Sequence, residues 1–296
     1  MKRIVCFLAL LCLAPIGCAP TQTASQKAAP SVDEPAAVQE SIAQQVDEEL
    51  PSGQLVSAPL PETATLKAKF VLDGAAPKFA NIDGSKDSFC ATLDIPSELM
   101  VIGKGGEIQN LALILDARRS KAKIPAEMLK AEEKEIVLDN NGCIFKPHVL
   151  SVRPGQTVKV TNSDQCSHNA NFNFFNNKPE NFIVPVGGSK SLTVKTDEPA
   201  PIPVECNVHP WMKSYLIATE HPYVGIANEA GEITIENLPV GSVTFKVWHE
   251  NAVRSIDEGT VNGKTERWSR GRMTLELSAG VNDLGTIKIP VDKFNK

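Results

Sequence analysis

The 296-residue chain has no apolar run long enough to cross a bilayer, no long helical periodicity, no repeat at a fixed period and no basic patch. Its longest apolar stretch, Ile4 to Ile16, holds 13 residues, short of the roughly 20 that a membrane-spanning helix requires. Without a basic stripe, a nucleic-acid partner is excluded. The net charge of −5 is also not what it first suggests. Residues 1–17 carry +2, residues 18–62 set Lys27 against seven carboxylates for −6, and residues 63–296 total only −1. The acidity belongs to one segment. The remainder is nearly neutral and offers little long-range steering for a charged partner.

What is present begins with an address. Lys2 and Arg3 precede the short apolar stretch, the layout of an export signal over residues 1–17. Pro15-Ile16-Gly17-Cys18 resembles the lipobox of bacterial lipoproteins, with Pro15 where leucine is usual. That resemblance implies a lipid on Cys18 and a membrane anchor through it; plain signal cleavage is the alternative. Residues 18–62 are rich in Ala, Gln, Glu, Ser and Pro, and bury too little apolar surface to offset their ordering entropy. A disordered acidic linker is expected there, tethering a head in the periplasm or at the cell surface.

From residue 63 onward the pattern is all-β. Thr157 to Thr161, Ser191 to Thr196, Glu232 to Glu236, Val243 to Val247, Met273 to Leu277 and Thr286 to Ile289 alternate apolar with polar side chains. Pro154-Gly155, Gly187-Gly188, Pro239-Val240-Gly241 and Asn262-Gly263 punctuate them as turns. Ala126 to Glu135 is the one helical candidate. Many short strands at this spacing predict two sandwiches or barrels.

Four residues carry the chemistry. Cys206-Asn207-Val208-His209-Pro210-Trp211-Met212 is a Cys-x-x-His-x-x-Met run, and Ser167-His168-Asn169 lies upstream, after a predicted strand. One thiolate, two imidazoles and a weak axial thioether make the mixed ligand set of a one-electron copper site. Zinc is the alternative metal for a Cys/His set; the thioether and the order of affinities favour copper.

Residues 134–220 resemble the cupredoxins, amicyanin and plastocyanin among them. The loop spacing, the segment His168-Asn169-Ala170-Asn171-Phe172, and Phe145-Lys146-Pro147 followed by Val152 to Val158 carry the resemblance. It implies a Greek-key sandwich holding one copper ion. His168, Cys206 and His209 would be the equatorial ligands and Met212 the axial one. Asn169 would pin the His168 loop to the ligand loop. His209 would be the solvent-edge ligand, with Pro210 and Trp211 as an apolar docking patch for redox protein donors and acceptors.

Gly225 to Gly241 resembles a transthyretin-like or carboxypeptidase-regulatory sandwich, a Gly turn and alternating strand followed by Leu238-Pro239-Val240-Gly241. Leu66 to Pro77 resembles its first strand and Asn110 to Asp116 its second. Residues 63–133 and 221–296 would then form one sandwich with the copper domain inserted. Two independent flanking segments, or early strands added directly to the copper barrel, remain alternatives. The whole arrangement also resembles exported, methylamine-utilisation-like proteins of planctomycete-type bacteria.

Cys6 and Cys12 leave with the signal, and Cys18 and Cys206 have roles above, so Cys90, Cys143 and Cys166 remain. One disulfide and one free thiol is the simplest outcome. Cys90–Cys143 is the expected pair, with Cys166 a competitor. His148, His221 and His249 lack the His-x-His spacing of multicopper oxidases and read as surface or hydrogen-bonded residues. No catalytic residue and no small-molecule substrate are expected. The expected function is one-electron carriage, against copper delivery or storage and against a structural surface module. Only 5 Met occur, without clustering, unlike many metal carriers.

Overall fold

The computed structural model describes residues 62–295, whose regular elements are strands and short 3-10 turns. The signal, Cys18 and the linker up to residue 61 lie outside the described residues. Sequence alternation becomes alternation in burial. In Thr157–Asn162 the side chains of Val158, Val160 and Asn162 are buried while those between them are half-exposed. Where a helix is conceivable, one 3-10 turn forms, Ala126–Leu129, without a buried residue. An apolar stripe is missing there, so nothing stabilises further turns.

The strands form four sheets, which share two main cores. In the outer sandwich one sheet runs Glu232–Pro239, Thr63–Asp73, Gly280–Pro290, Glu258–Val261, Lys264–Arg267. Its companion runs Val224–Ile226, Ala112–Leu115, Gly241–Trp248, Arg272–Leu277. Thr63–Asp73 lies antiparallel to Glu232–Pro239 and parallel to Gly280–Pro290, so both its ladder partners follow residue 221. The chain therefore leaves the outer sandwich after Leu115, builds the inner one, and returns at Val224. Gly231 makes the first ladder possible: its φ is +71°, and a Cβ there would lie 2.5 Å from the Phe70 carbonyl oxygen.

The inner sandwich pairs a sheet of Val149–Val152, Lys213–Ala218, Ile202–Glu205, His168–Phe172 and Glu180–Val184 with one of Phe145–Lys146, Glu135–Asn140, Thr157–Asn162 and Ser189–Thr193. A third cluster, Ala112, Ile114, Val149 and Ile217, joins the sandwiches, with Tyr215 and Trp248, edge to face with each other, packed against it.

One segment departs from its expected place. Residues 82–95 precede the inner sandwich in sequence, yet Cys90 and Ile95 are fully buried in the inner core. The bridge between Ile82 and Ile95 closes this segment into a strap, and a disulfide joins Cys90 to Cys143. The strap lies across the end of the sandwich that carries His209.

Candidate metal centre

The ligand loop is the turn of a hairpin. Glu205 and Lys213 are the last register pair between Ile202–Glu205 and Lys213–Ala218, and residues 206–212 connect them. Within the loop the Cys206 N–H donates to the Met212 carbonyl at 3.2 Å, and the Met212 N–H donates to the His209 carbonyl at 2.9 Å. These bonds close the turn and face Cys206, His209 and Met212 inward. His168 opens the neighbouring strand, His168–Phe172, which pairs antiparallel with Ile202–Glu205.

The result is a buried cluster. Ligand atoms of His168, Cys206 and His209 lie within 4.8 Å of one another, and Met212 is fully buried in the same core. The Nδ1 atoms of His168 and His209 face each other at 2.9 Å, and Cys206 Sγ lies 3.8 Å from His209 Nδ1. Cys206 Sγ also receives the Asn169 N–H at 3.5 Å and the His209 N–H at 3.4 Å, which hold the sulfur toward the cluster. Burial, with His209 beside it, holds His168 below the usual imidazole range, so the ring stays neutral with a lone pair free. Soft sulfur and two imidazoles converging in a buried pocket fit copper.

Asn169 sits where a pin belongs. Its Oδ1 accepts the Asn207 and Val208 N–H groups, and its Nδ2 donates to Asn181 Oδ1 at 2.7 Å. Two carboxylates, unassigned in the sequence, complete the surroundings. Asp164 Oδ2 lies 2.9 Å from His168 Nε2 and accepts the Cys143 N–H at 2.9 Å, while Oδ1 accepts the Gly142 N–H at 2.6 Å. Asp87 Oδ2 lies 3.6 Å from His209 Nε2. Asp164, four residues before His168, was legible as a neighbour at most; nothing in the sequence marked Asp87.

Replacing Asp164 with alanine is expected to lower the stability of the metal-free protein by about 2–3 kcal/mol, because the N–H groups of Gly142 and Cys143 lose a charged acceptor. Urea denaturation reads this directly; an unmoved midpoint would show that solvent replaces the carboxylate.

Two expectations need correction. His209 is not at the solvent edge: it is 2% exposed, covered by the strap on one side and by Trp211 on another. Trp211 is half-buried rather than exposed, and its Nε1 donates to the Cys143 carbonyl at 3.1 Å. Of the expected patch only Pro210 is exposed, next to Val208. The cause is the strap, which occupies the surface that the sandwich alone would present.

Cys166 is half-buried and unpaired, its Sγ 3.9 Å from Cys90 Sγ and 3.4 Å from His168 Nε2. Burial, then the Asp87 and Asp164 carboxylates, push its thiol up to about 12, so it stays protonated. The other three histidines are buried and bonded, not surface residues. His221 Nε2 donates to the Leu115 carbonyl, His249 Nδ1 accepts the Asn251 N–H, and His148 bridges Glu98 and Glu250.

No protein-family model and no curated protein matches the chain. Among solved structures, an oxidised amicyanin variant is similar at 23% identity and TM-score 0.27, over 33% of this chain and 99% of that one. A purple cupredoxin from Nitrosopumilus maritimus is similar at 21% identity and TM-score 0.25, over 29% of this chain and all of that one (100%). A copper-containing nitrite reductase from Thermus scotoductus SA-01 is similar at 21% identity and TM-score 0.27, over 30% of this chain; the match spans only 23% of the reductase. The likeness concerns about a third of the chain and leaves the outer sandwich unidentified.

Proposed function

We propose that the chain is an exported, lipid-anchored blue-copper protein that carries single electrons between redox proteins. The observation that carries this reading is the convergence of His168, Cys206 and His209, with Met212 buried beside them, in one closed pocket. Copper held by His168, Cys206, His209 and Met212 would supply the one-electron chemistry. The protein's part is to hold the donors still. The hairpin turn fixes Cys206 against His209, the Asn169 side chain ties the His168 strand to that turn, and Asp164 sets the His168 ring. Donors that do not move between oxidation states keep the reorganisation of each transfer small. The pocket also excludes water.

Delivery or storage is the second reading, and burial argues against it. A carrier that hands on its metal needs accessible donors, whereas His168, Cys206 and His209 are all at most 2% exposed. The partners in this reading are a redox donor and acceptor, plus a membrane reached through the lipid on Cys18. No catalytic step is assigned to the chain.

The test is optical. Purified full chain loaded with cupric ion is expected to show an intense red-region thiolate-to-copper band that disappears on mild reduction. A colourless protein that retains zinc, or yields copper to a chelator within seconds, would overturn the carrier reading.

A further inference from the structure

Resting on the copper-carrier reading, we propose that Asp87 is a positioning residue of the metal centre, delivered by the strap to hold the outer nitrogen of His209. Both imidazoles are arranged alike. Each turns Nδ1 toward the other ring, and each turns Nε2 toward a carboxylate, Asp164 for His168 and Asp87 for His209. His209 Nε2 is buried and has no hydrogen-bond partner, so Asp87 at 3.6 Å is the group that answers it.

Asp87 is itself held. Its Oδ1 accepts the N–H groups of Phe89 and Cys90 at 2.9 and 3.0 Å, which aims Oδ2 at the ring. Cys90 is then anchored to Cys143, whose N–H is bonded to Asp164 and whose carbonyl receives Trp211. One short path through the disulfide therefore links the supports of both histidines. A carboxylate opposite Nε2 keeps the proton on that nitrogen, directs the Nδ1 lone pair inward, and makes it a stronger donor. The strap comes from the part of the chain between two outer-sandwich strands, so the outer sandwich contributes to the metal centre of the inner one.

The experiment compares copper-loaded full chain with Asp87→Asn and Asp87→Ser, which both keep an oxygen for the Phe89 and Cys90 N–H groups. Asp87→Glu is the rescue, and Asp83→Asn, an exposed carboxylate on the same strap, is the control. Three quantities are read: the copper electron-spin-resonance signature, the reduction potential, and the rate of cuprous loss to a chelator.

Asn and Ser are expected to keep the visible band, raise the potential by removing a negative charge, and speed cuprous loss by about tenfold or more. Glu restores these in part and the control leaves them unchanged. If Asn and Ser match the control in all three, Asp87 only closes the turn and the inference fails. Unfolding of Asn but not of Ser leaves Ser as the deciding variant; if both unfold, Asp87 serves the strap's structure and the inference fails. A wild-type chain without the band overturns the copper reading and this inference together, whereas a wild-type band with unaltered variants overturns this inference alone.

Discussion

Copper-loaded protein carrying Cys206→Ser is expected to lose the intense visible band and to hold cuprous ion on the order of 100-fold or more weakly. The sulfur supplies both the colour and the softness that retains the reduced metal. A serine oxygen at this position supplies neither. Yet the variant should fold, because the substitution is nearly isosteric and Cys206 receives only two long backbone contacts, at 3.4 and 3.5 Å. Thermal denaturation of the metal-free variant checks that the loss is chemical rather than structural. Cys166→Ser is the discriminating partner experiment. Cys166 also approaches His168, but from the side of Nε2 and away from the facing Nδ1 atoms. The band should survive its replacement. If it vanishes with Cys166 and survives without Cys206, the ligand assignment is wrong.

The second large effect lies where the sandwiches meet. His148 precedes Val149–Val152 of the inner sandwich, and Glu250 follows Gly241–Trp248 of the outer one. His148 Nε2 contacts the Glu250 carboxylate, and Nδ1 lies 3.3 Å from Glu98 Oε2 as an ion pair without hydrogen-bond alignment. Burial works against a charge on this ring. The two carboxylates outweigh it and raise the imidazole from 6.5 to about 9.

A histidine raised on folding stabilises the folded state fully below its unfolded value and loses that stabilisation as pH rises through its folded value. Stability should therefore decline between pH 6.5 and about 9, by roughly 3 kcal/mol if His148 acts alone. The urea midpoint measured across that window reads it. In His148→Ala the decline should disappear, and stability near neutral pH should fall by about 3–5 kcal/mol, because Glu250 is left buried and unpaired. A flat profile in the wild type would mean that His148 is neutral between its carboxylates.

Local chemistry made a good part of this molecule legible. Alternation marked Thr157–Asn162, Glu232–Pro239, Gly241–Trp248 and Arg272–Leu277, because a half-buried strand imposes a period of two on its own residues. The loop of residues 206–212 was equally open to reading, since its donors sit on one tight turn and their spacing is a local property. His168 and Asn169 were found because a flanking strand and its sequence neighbours travelled with them. Even the placement of Thr63–Asp73 beside strands near the far end of the chain was suggested, by the resemblance of both stretches to parts of one sandwich module.

Of the strap, only the expected Cys90–Cys143 tie was legible, for a physical reason. Residues 82–95 have no period, since their place is set by two apolar side chains sunk into another sandwich's core and by one disulfide. His148, Glu98 and Glu250 were likewise unremarkable one by one; burial and the meeting of three distant segments make them a charged bridge.

By itself, then, the sequence determined the strands, the order of the donors and the kind of metal they suit, because these depend on residue type and short-range spacing. Only the tertiary structure decided that His209 is covered, that Asp87 and Asp164 face the two rings, and that the sandwiches meet on a buried ion pair. Those outcomes depend on which distant surfaces compete for the same space and on how much water remains between them. No local pattern encodes either.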